Sequence, residues 1–205
     1  MKLREFRAAL KADLSCNSMP LDKLSVFTFR LGQYAAGRRN LLLRAVWRPL
    51  DFVYLRLLIG AELPHTIECG PGLRLPHAAR GIILHPDVRL GSGVTLLHRV
   101  TIGERHDGDV PVIGDGVFVG AGAVVIGDIK VGNHAQVGAG AVVLCDVPDG
   151  CSAVGVPASV TARASRLPRL GSPGSPLSVP APRTYTAKRS GRRAPGRSCR
   201  RSRTG

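Results

Sequence analysis

The sequence predicts an all-β solenoid, a parallel β-helix of six-residue repeats that follows a helical N-terminal segment. An aliphatic residue recurs every six positions on both sides of one interruption, and no position in this series is polar. A period of six fits neither an amphipathic helix nor an isolated alternating strand. Aromatic residues make up only 4% of the chain, as expected if the core is too narrow for rings. The repeating positions are Ile82, Val88, Val94 and Val100, and then Ile113, Val119, Val125, Val131, Val137 and Val143.

Residues 1–62 are predicted to be helical. We expect Gly37 to end one helix, a second to begin near Asn40, and Pro49 to kink or restart it. These helices are expected to cap the solenoid, because the first repeat must be covered. Arginines among the apolar positions favour a solvated face, with contact to an acidic lipid surface as the alternative. The predicted apolar stripe has three- and four-residue spacing and consists of Leu21, Leu24, Phe27, Leu31 and Tyr34.

The repeats are predicted to fill residues 63–160, with one polar break. Val100 and Ile113 are thirteen residues apart where two repeats need twelve, and Gly103–Val110 between them is polar. We expect this stretch to bulge outward as a loop. Loops on rigid scaffolds often carry functional residues.

Residues 161–205 form a tail rich in Ser, Pro, Gly and Arg, which we predict to be disordered. The net charge is +15, but twelve of the 29 Lys and Arg residues lie from Arg163 onward. The first 162 residues therefore hold 17 basic side chains against all 14 acidic ones. Since charge alone gives only nonspecific attraction, we predict no specific nucleic-acid partner.

The five cysteines are odd in number and form no CxxC pair, which argues against a disulfide framework and favours a reducing compartment. No secretory signal is recognised at the N-terminus. The apolar stretch Leu41–Gly60 is interrupted by charged residues, which are costly in a bilayer. We therefore predict a cytoplasmic protein.

Several chemistries lack their usual motifs. The chain has no HxH, HExxH or Cys/His cluster at metal spacing, so we predict no metal. Walker and GxSxG motifs are also absent, which leaves covalent catalysis without support. The remaining candidates for acid–base chemistry are the histidines His65, His77, His85, His98, His106 and His134.

Several longer blocks of residues carry a family resemblance. They are Leu75-Pro-His-Ala78, Gly81-Ile-Ile-Leu-His-Pro86, Val94-Thr-Leu-Leu-His-Arg-Val-Thr-Ile-Gly103, Val119-Gly-Ala-Gly-Ala-Val-Val-Ile-Gly127, Val137-Gly-Ala-Gly-Ala-Val-Val143 and Gly155-Val-Pro-Ala158. The chain resembles the serine acetyltransferase family of hexapeptide-repeat acyltransferases. It resembles at least as much the offshoots of that family that acetylate exopolysaccharide sugars, such as colanic acid acetyltransferases.

The resemblance implies a left-handed β-helix that transfers an acetyl group from acetyl-CoA to a hydroxyl, without a metal or a covalent intermediate. It also implies a homotrimer or a dimer of trimers, with active sites between neighbouring solenoids. The Leu-Asp-His motif of the family maps onto Leu75-Pro76-His77, which makes His77 the expected general base.

Two departures from the family pattern concern the acceptor. Pro76 stands where the family has an aspartate, and Val110 falls at the histidine of the family's Asp-Arg-His-Pro motif. Arg105, His106 and Asp109 in the polar loop are then the candidate acceptor-binding residues. The acceptor is expected to be either L-serine, on resemblance, or a saccharide hydroxyl, on these departures.

Acetyl-CoA is expected along the C-terminal coils, where small residues let an extended arm approach the backbone. Coil corners also need small residues for the fold itself. The candidate acetyl-CoA residues are Gly103, Gly120, Ala121, Gly138 and Ala139.

Two other functions stay open on sequence. One is a scaffold without catalysis. The other is a γ-class carbonic anhydrase with zinc on His77, His98 and His106, which the spacings of 21 and 8 residues disfavour because they do not suggest matching points of successive coils.

Overall fold

The computed structural model describes residues 2–37, 41–106 and 108–162, and its N-terminal part is helical as predicted. Helix α1 spans Leu3–Cys16, α2 spans Pro20–Ala36 and α3 spans Leu41–Pro49. A π-helical segment, Leu50–Ile59, follows α3 directly, so the helical character continues past Pro49. Gly37 ends α2 as expected. The predicted tail lies outside the described residues from position 163 onward.

The predicted apolar stripe of α2 is partly wrong. Leu31 and Tyr34 are buried, but Leu24 and Phe27 are half-buried and Leu21 is 49% exposed. The buried face instead mixes apolar residues with polar ones that bond to the first coil. Its buried members include Asp22, Ser25, Val26, Thr28, Phe29, Arg30 and Ala35.

Thirteen short strands follow the helices, most of them two residues long. A short turn, Pro76–Ala79, interrupts the first coil. The strands are β1 Glu68–Cys69, β2 Ile83–Leu84, β3 Arg89–Leu90, β4 Thr95–Leu96, β5 Thr101–Gly103, β6 Val112–Ile113, β7 Phe118–Val119, β8 Val124–Ile126, β9 Lys130–Val131, β10 Gln136–Val137, β11 Val142–Val143, β12 Cys151–Val154 and β13 Ser159–Ala162.

The strands form three sheets that the chain visits in rotation, which confirms the predicted parallel strands. Sheet 1 has the order β1-β3-β6-β9, sheet 2 the order β13-β12-β10-β7-β4, and sheet 3 the order β11-β8-β5-β2. All pairings are parallel except that of β12 with β13. We call the turns from sheet 1 to 2, from 2 to 3 and from 3 to 1 the 1–2, 2–3 and 3–1 edges.

Each six-residue repeat has two inward-facing positions, two residues apart. The predicted aliphatic series occupies the first of them before the polar loop and the second after it. Ile82 and Val100 occupy the first inner position, whereas Leu84, Ile102 and Val125 pair in the second. The series was therefore correct in predicting burial but wrong in treating its two halves as one register. All ten of its residues are at most 2% exposed.

This shift of register changes the predicted size of the polar loop. Val112 pairs with Lys130 eighteen residues later, but Arg89 pairs with Val112 twenty-three residues later. The loop between β5 and β6 thus adds five residues to a coil, not the single residue inferred from sequence. Residues 104–106, 108 and 109 are exposed, as expected for an outward loop.

The repeats end in the antiparallel hairpin of β12 and β13. Cys151 pairs with Ala162, so the ordered strand continues two residues past the predicted boundary at 160. Strand β13 therefore pairs with the edge of β12 that β10 leaves free.

A buried ion pair fixes α1 and α2 to the first coil. Arg30 Nε donates to Asp13 Oδ2 at 2.7 Å, and both residues are at most 1% exposed. Asp13 Oδ1 accepts the backbone N–H groups of Gly72 and Leu73. Because the remaining donors of Arg30 bond to the carbonyls of Cys69 and Gly70, the buried charges are fully paired. This contact holds α1 and α2 against the first coil, where the prediction of capping helices places them.

A ladder of polar side chains follows the 1–2 edge. Asp115 Oδ1 accepts from Ser92 N at 2.7 Å, Asn133 Oδ1 from Asp115 N at 2.8 Å, and Asp149 Oδ1 from Asn133 N at 2.8 Å. Each coil therefore satisfies a backbone donor of the preceding coil.

The segment 41–59 leaves large apolar side chains exposed beside arginines. None of the helices within the described ranges combines the length and apolarity needed to cross a bilayer. The exposed side chains are Leu41, Leu42, Val46, Phe52, Val53, Leu57 and Leu58.

Candidate active site

The 2–3 edge gathers most of the predicted site residues in one column. Arg99 N donates to Arg80 O at 2.8 Å, Gly122 N to His98 O at 3.0 Å, and Gly140 N to Ala121 O at 2.8 Å. These bonds stack the turns of four successive coils. His77 therefore lies at the N-terminal end of a column that continues through His98 to the small residues Gly120, Ala121, Gly138 and Ala139.

His77 and His98 contact each other across neighbouring coils although 21 residues separate them. Arg74 forms a bridge with Thr95, also twenty-one residues later. The first coil is longer than the usual eighteen residues because it contains the turn Pro76–Ala79. His106 lies on the 3–1 edge and is not part of this column.

The turn that carries His77 has an uncommon backbone. His77, Ala78 and Ala79 have φ values of 61°, 59° and 62°, three successive residues in the left-handed region. Each such residue with a β-carbon costs about 1–2 kcal/mol. Strained backbone of this kind persists where surrounding contacts hold it, and it is concentrated at functional sites.

Helix α2 supplies the contacts that hold the turn. Asp22 Oδ1 accepts from Ala78 N at 2.8 Å, and Ser25 Oγ donates to Ala78 O at 3.0 Å. Ser25 Oγ also lies 3.2 Å from the hydroxyl of Tyr54, which donates to Leu21 O. Both backbone polar groups of Ala78 are thereby fixed by buried side chains.

The two imidazoles meet edge to face. The ring centroids of His77 and His98 are 5.1 Å apart with an interplanar angle of 89°. His77 is exposed, whereas His98 is half-buried. The Nδ1 atom of His98 is buried and bonds to none of the described residues, which is uncommon for a buried polar atom.

Two clefts flank His77. A cleft of about 510 Å³ is lined by Ile59, Gly60, His77, Arg80, Gly81, His98 and Arg99. A second, of about 710 Å³, lies between His77 and the start of α2 and includes Arg74, Arg80 and Asp22. Within the described parts of the chain, Arg74, Arg80 and Arg99 form no salt bridge. The surroundings of His77 are therefore cationic.

The predicted acceptor-binding residues lie elsewhere in the chain. Arg105, His106 and Asp109 belong to the loop on the 3–1 edge, and sheet 3 separates them from His77. Asp109 N donates to His106 O at 2.9 Å, so the loop folds on itself. Gly103, predicted to bind acetyl-CoA, ends β5 on this edge as well. One chain does not bring these residues together with His77, and their roles stay predictions.

Cys69 lies on strand β1 of sheet 1, away from the 2–3 edge, and is a poor candidate for nucleophilic chemistry. Burial raises the pKa of the Cys69 thiol to about 11, against the opposing effect of the nearby Arg30 guanidinium. A thiol with so high a pKa is mostly protonated and weakly nucleophilic. In the described ranges, no group of three His, Cys, Asp or Glu side chains is placed to hold a metal ion.

Sequence reasoning missed Asp22, Ser25, Arg80, Arg99 and the pairing of His77 with His98. The left-handed turn had no glycine to signal it. The equal 21-residue spacing of His77 to His98 and of Arg74 to Thr95 becomes meaningful only once the length of the first coil is known.

Comparisons with known proteins agree with this architecture. The family described as bacterial transferase hexapeptide (six repeats) matches residues 111–145. The serine acetyltransferase of Buchnera aphidicola subsp. Acyrthosiphon pisum is 33% identical over 183 residues, covering 80% of this chain and 61% of that protein. The Mycobacterium tuberculosis serine acetyltransferase is 34% identical over 131 residues, covering 60% and 53%. The chain thus spans about three-fifths or less of the length of these relatives.

Solved structures give matches of similar extent. Soybean serine acetyltransferase, as apoenzyme, superimposes with a TM-score of 0.63 at 32% identity, covering 77% of this chain and 69% of that one. The Neisseria gonorrhoeae serine acetyltransferase gives a TM-score of 0.62 at 30% identity, covering 80% and 67%.

Proposed function

Because the chain belongs to the serine acetyltransferase family of hexapeptide-repeat acyltransferases, we propose that it transfers an acetyl group from acetyl-CoA to a hydroxyl group. We infer a left-handed coil from the same family membership and a cytoplasmic location from the sequence.

The observation that carries the proposal is the column on the 2–3 edge. It combines an exposed imidazole, a second imidazole 5.1 Å away between centroids, and a run of small residues. An extended thioester arm lying on Ala121 and Ala139 would direct its carbonyl toward His77. Neutral imidazole suits this role because it can accept a proton and return it near neutral pH.

In the proposed reaction, His77 accepts the hydroxyl proton while the oxygen bonds to the thioester carbonyl carbon. The tetrahedral oxyanion then collapses, the carbon–sulfur bond breaks, and the imidazolium returns its proton to the departing thiolate. The products are the acetyl ester and free CoA, with no covalent enzyme intermediate. Donors aimed at the oxyanion would lower the barrier further.

For the acceptor we propose L-serine, the substrate in the names of the relatives. A saccharide hydroxyl is the second candidate, because Pro76 and Val110 replace acceptor-binding positions of the family motifs. We also propose that the site is completed between copies in a trimer or a dimer of trimers. One copy would supply the 2–3 edge, and its neighbour the loop with Arg105, His106 and Asp109.

The test is release of free CoA thiol from acetyl-CoA with L-serine and a set of sugars as acceptors. We expect His77→Ala to lower kcat by about 10²–10⁴-fold, the usual contribution of a general base. His134→Ala is the matched control, since His134 lies on the 1–2 edge. Unchanged turnover in the His77 variant would remove it from the mechanism, and no turnover with any acceptor would favour the scaffold.

A further inference from the structure

The 510 Å³ cleft beside His77 carries a charge pattern that the proposed reaction does not itself require. Its polar side chains are two imidazoles and two guanidiniums, those of Arg80 and Arg99. Its lining contains no carboxylate. The last carbonyl of the π-helical segment, that of Ile59, accepts from Gly81 N at 3.4 Å and is therefore already paired. A neutral acceptor would leave these cations without a counter-charge.

The backbones of Arg80 and Arg99 are fixed beside the cleft, whereas their side chains are exposed. Arg99 N donates to Arg80 O at 2.8 Å, which joins the two residues across neighbouring coils. Arg99 has a φ of 61°, and its Cγ lies 3.2 Å from the position a β-carbon on Gly81 would occupy. The stem of Arg99 therefore packs over Gly81. Arginine at such a position suits forked recognition of carboxylate or phosphate.

We propose that Arg80 and Arg99 form an anion subsite for the acceptor, so that the preferred acceptor is a hydroxyl compound bearing a carboxylate or phosphate. This inference rests on the proposed acetyl transfer and narrows its acceptor class. The subsite lies on the 2–3 edge beside the base, apart from the loop residues predicted to bind the acceptor. A volume of about 510 Å³ is within the usual range for small-molecule sites.

The first experiment compares matched acceptors that differ in charge. The pairs are L-serine with L-serinamide, and D-glucuronate or glucose 6-phosphate with methyl glucoside. We expect kcat/KM for the anion to exceed that for its neutral partner by about tenfold or more, as for a charge-assisted contact. The glucuronate and phosphate arms separate the two anion types. Equal efficiency for the neutral partners would overturn the subsite.

The second experiment removes the guanidiniums. We expect Arg80→Gln with Arg99→Gln to raise the KM for the anionic acceptor about tenfold or more, with the KM for acetyl-CoA within twofold of wild type. The lysine variants should recover part of this loss. Arg89→Gln is the control for loss of an exposed arginine away from the cleft, because Arg89 lies on sheet 1 and pairs with Glu68. A rise confined to the KM for acetyl-CoA would assign the arginines to CoA phosphates and overturn the proposal.

Binding is measured separately by calorimetry, with L-serine, D-glucuronate and glucose 6-phosphate titrated into the full chain without acetyl-CoA. Binding of one of these anions that the double variant loses, in a chain without turnover, would keep the subsite and refute the proposed transfer. Turnover with no charge preference and no effect of the double variant would refute the subsite and keep the proposed transfer. Circular dichroism of each variant shows whether it folds, and the single variants replace the double one if it does not.

Discussion

At the residue scale, the small side chains of the 2–3 edge serve two different needs. A β-carbon on Gly120 would lie 2.5 Å from Ala139 N, and one on Gly138 would lie 2.9 Å from Val154 Cγ1. Close stacking of the coils therefore requires these glycines whatever binds outside. Ala121 is half-exposed and Ala139 exposed. A role in binding acetyl-CoA is better tested at the alanines.

We expect Ala139→Trp to raise the KM for acetyl-CoA by about tenfold or more while the acceptor KM changes little. An indole on this exposed position would cover the surface on which the thioester arm is proposed to lie, and surface substitutions of this kind usually preserve folding. Steady-state kinetics with each substrate varied in turn provides the measurement. Arg89→Trp, exposed on sheet 1, is the control. An unchanged KM for acetyl-CoA would show that acetyl-CoA binds elsewhere.

At the scale of elements, α2 and the turn Pro76–Ala79 act as one unit. The turn is held in the left-handed region against its intrinsic preference by the Asp22 and Ser25 contacts with Ala78. The same turn presents His77 to His98. Loss of a contact from α2 should therefore be felt first in the orientation of the imidazole.

We expect Asp22→Ala to lower kcat about tenfold or more with little change in either KM, because the Ala78 N–H loses its partner and the turn relaxes. Asp22→Asn keeps an oxygen that can accept this bond, and it should retain most of the activity. The readout is the separation of kcat from KM together with the melting temperature of each variant.

Thr28→Val controls for general weakening of α2, since Thr28 is buried and its hydroxyl bonds within the helix, to Leu24 O. If that variant lost as much kcat as Asp22→Ala, the effect would be one of helix stability. A loss in Asp22→Asn equal to that in Asp22→Ala would instead show that the carboxylate charge is needed.

The sequence predicted the elements to different degrees. The burial of Val119, Val125 and Val131 followed from their period alone, because a repeated inner position leaves its mark at every coil. The α2 face did not follow, because Asp22, Ser25 and Arg30 are polar residues buried by specific bonds to the first coil. An apolar-stripe rule has no means of recognising such contacts before the partner backbone is known.

At the scale of the whole molecule, the three edges divide the candidate functions. The 1–2 edge carries the polar ladder, the 2–3 edge carries His77 with the small residues, and the 3–1 edge carries the loop with Arg105, His106 and Asp109. Residue types and motif order suggested the groups on the 2–3 and 3–1 edges from sequence, but not the polar ladder on the 1–2 edge. Their separation onto different edges was not predictable, because it depends on which two sheets each turn connects.

This separation predicts complementation between two inactive variants. A chain with His77→Ala keeps its loop, and a chain with Arg105→Ala and His106→Ala keeps its base. After co-refolding at equal amounts into the proposed trimers, about a quarter of the interfaces should join an intact base to an intact loop, which follows from random cyclic assembly.

Recovery of about a quarter of wild-type turnover in the mixture is the expected result. Each variant refolded alone gives the baseline, and light scattering establishes the oligomeric state. A mixture no more active than the separate chains would mean that base and loop act within one chain or that the loop has no role.

The five extra residues between β5 and β6 leave the strand pairing on both sides intact. A change in the length of the loop at this corner would therefore leave the stacking of the coils in place. The 2–3 edge with His77 lies across sheet 3 from this corner, so the loop could be redesigned without disturbing the backbone that holds the proposed base.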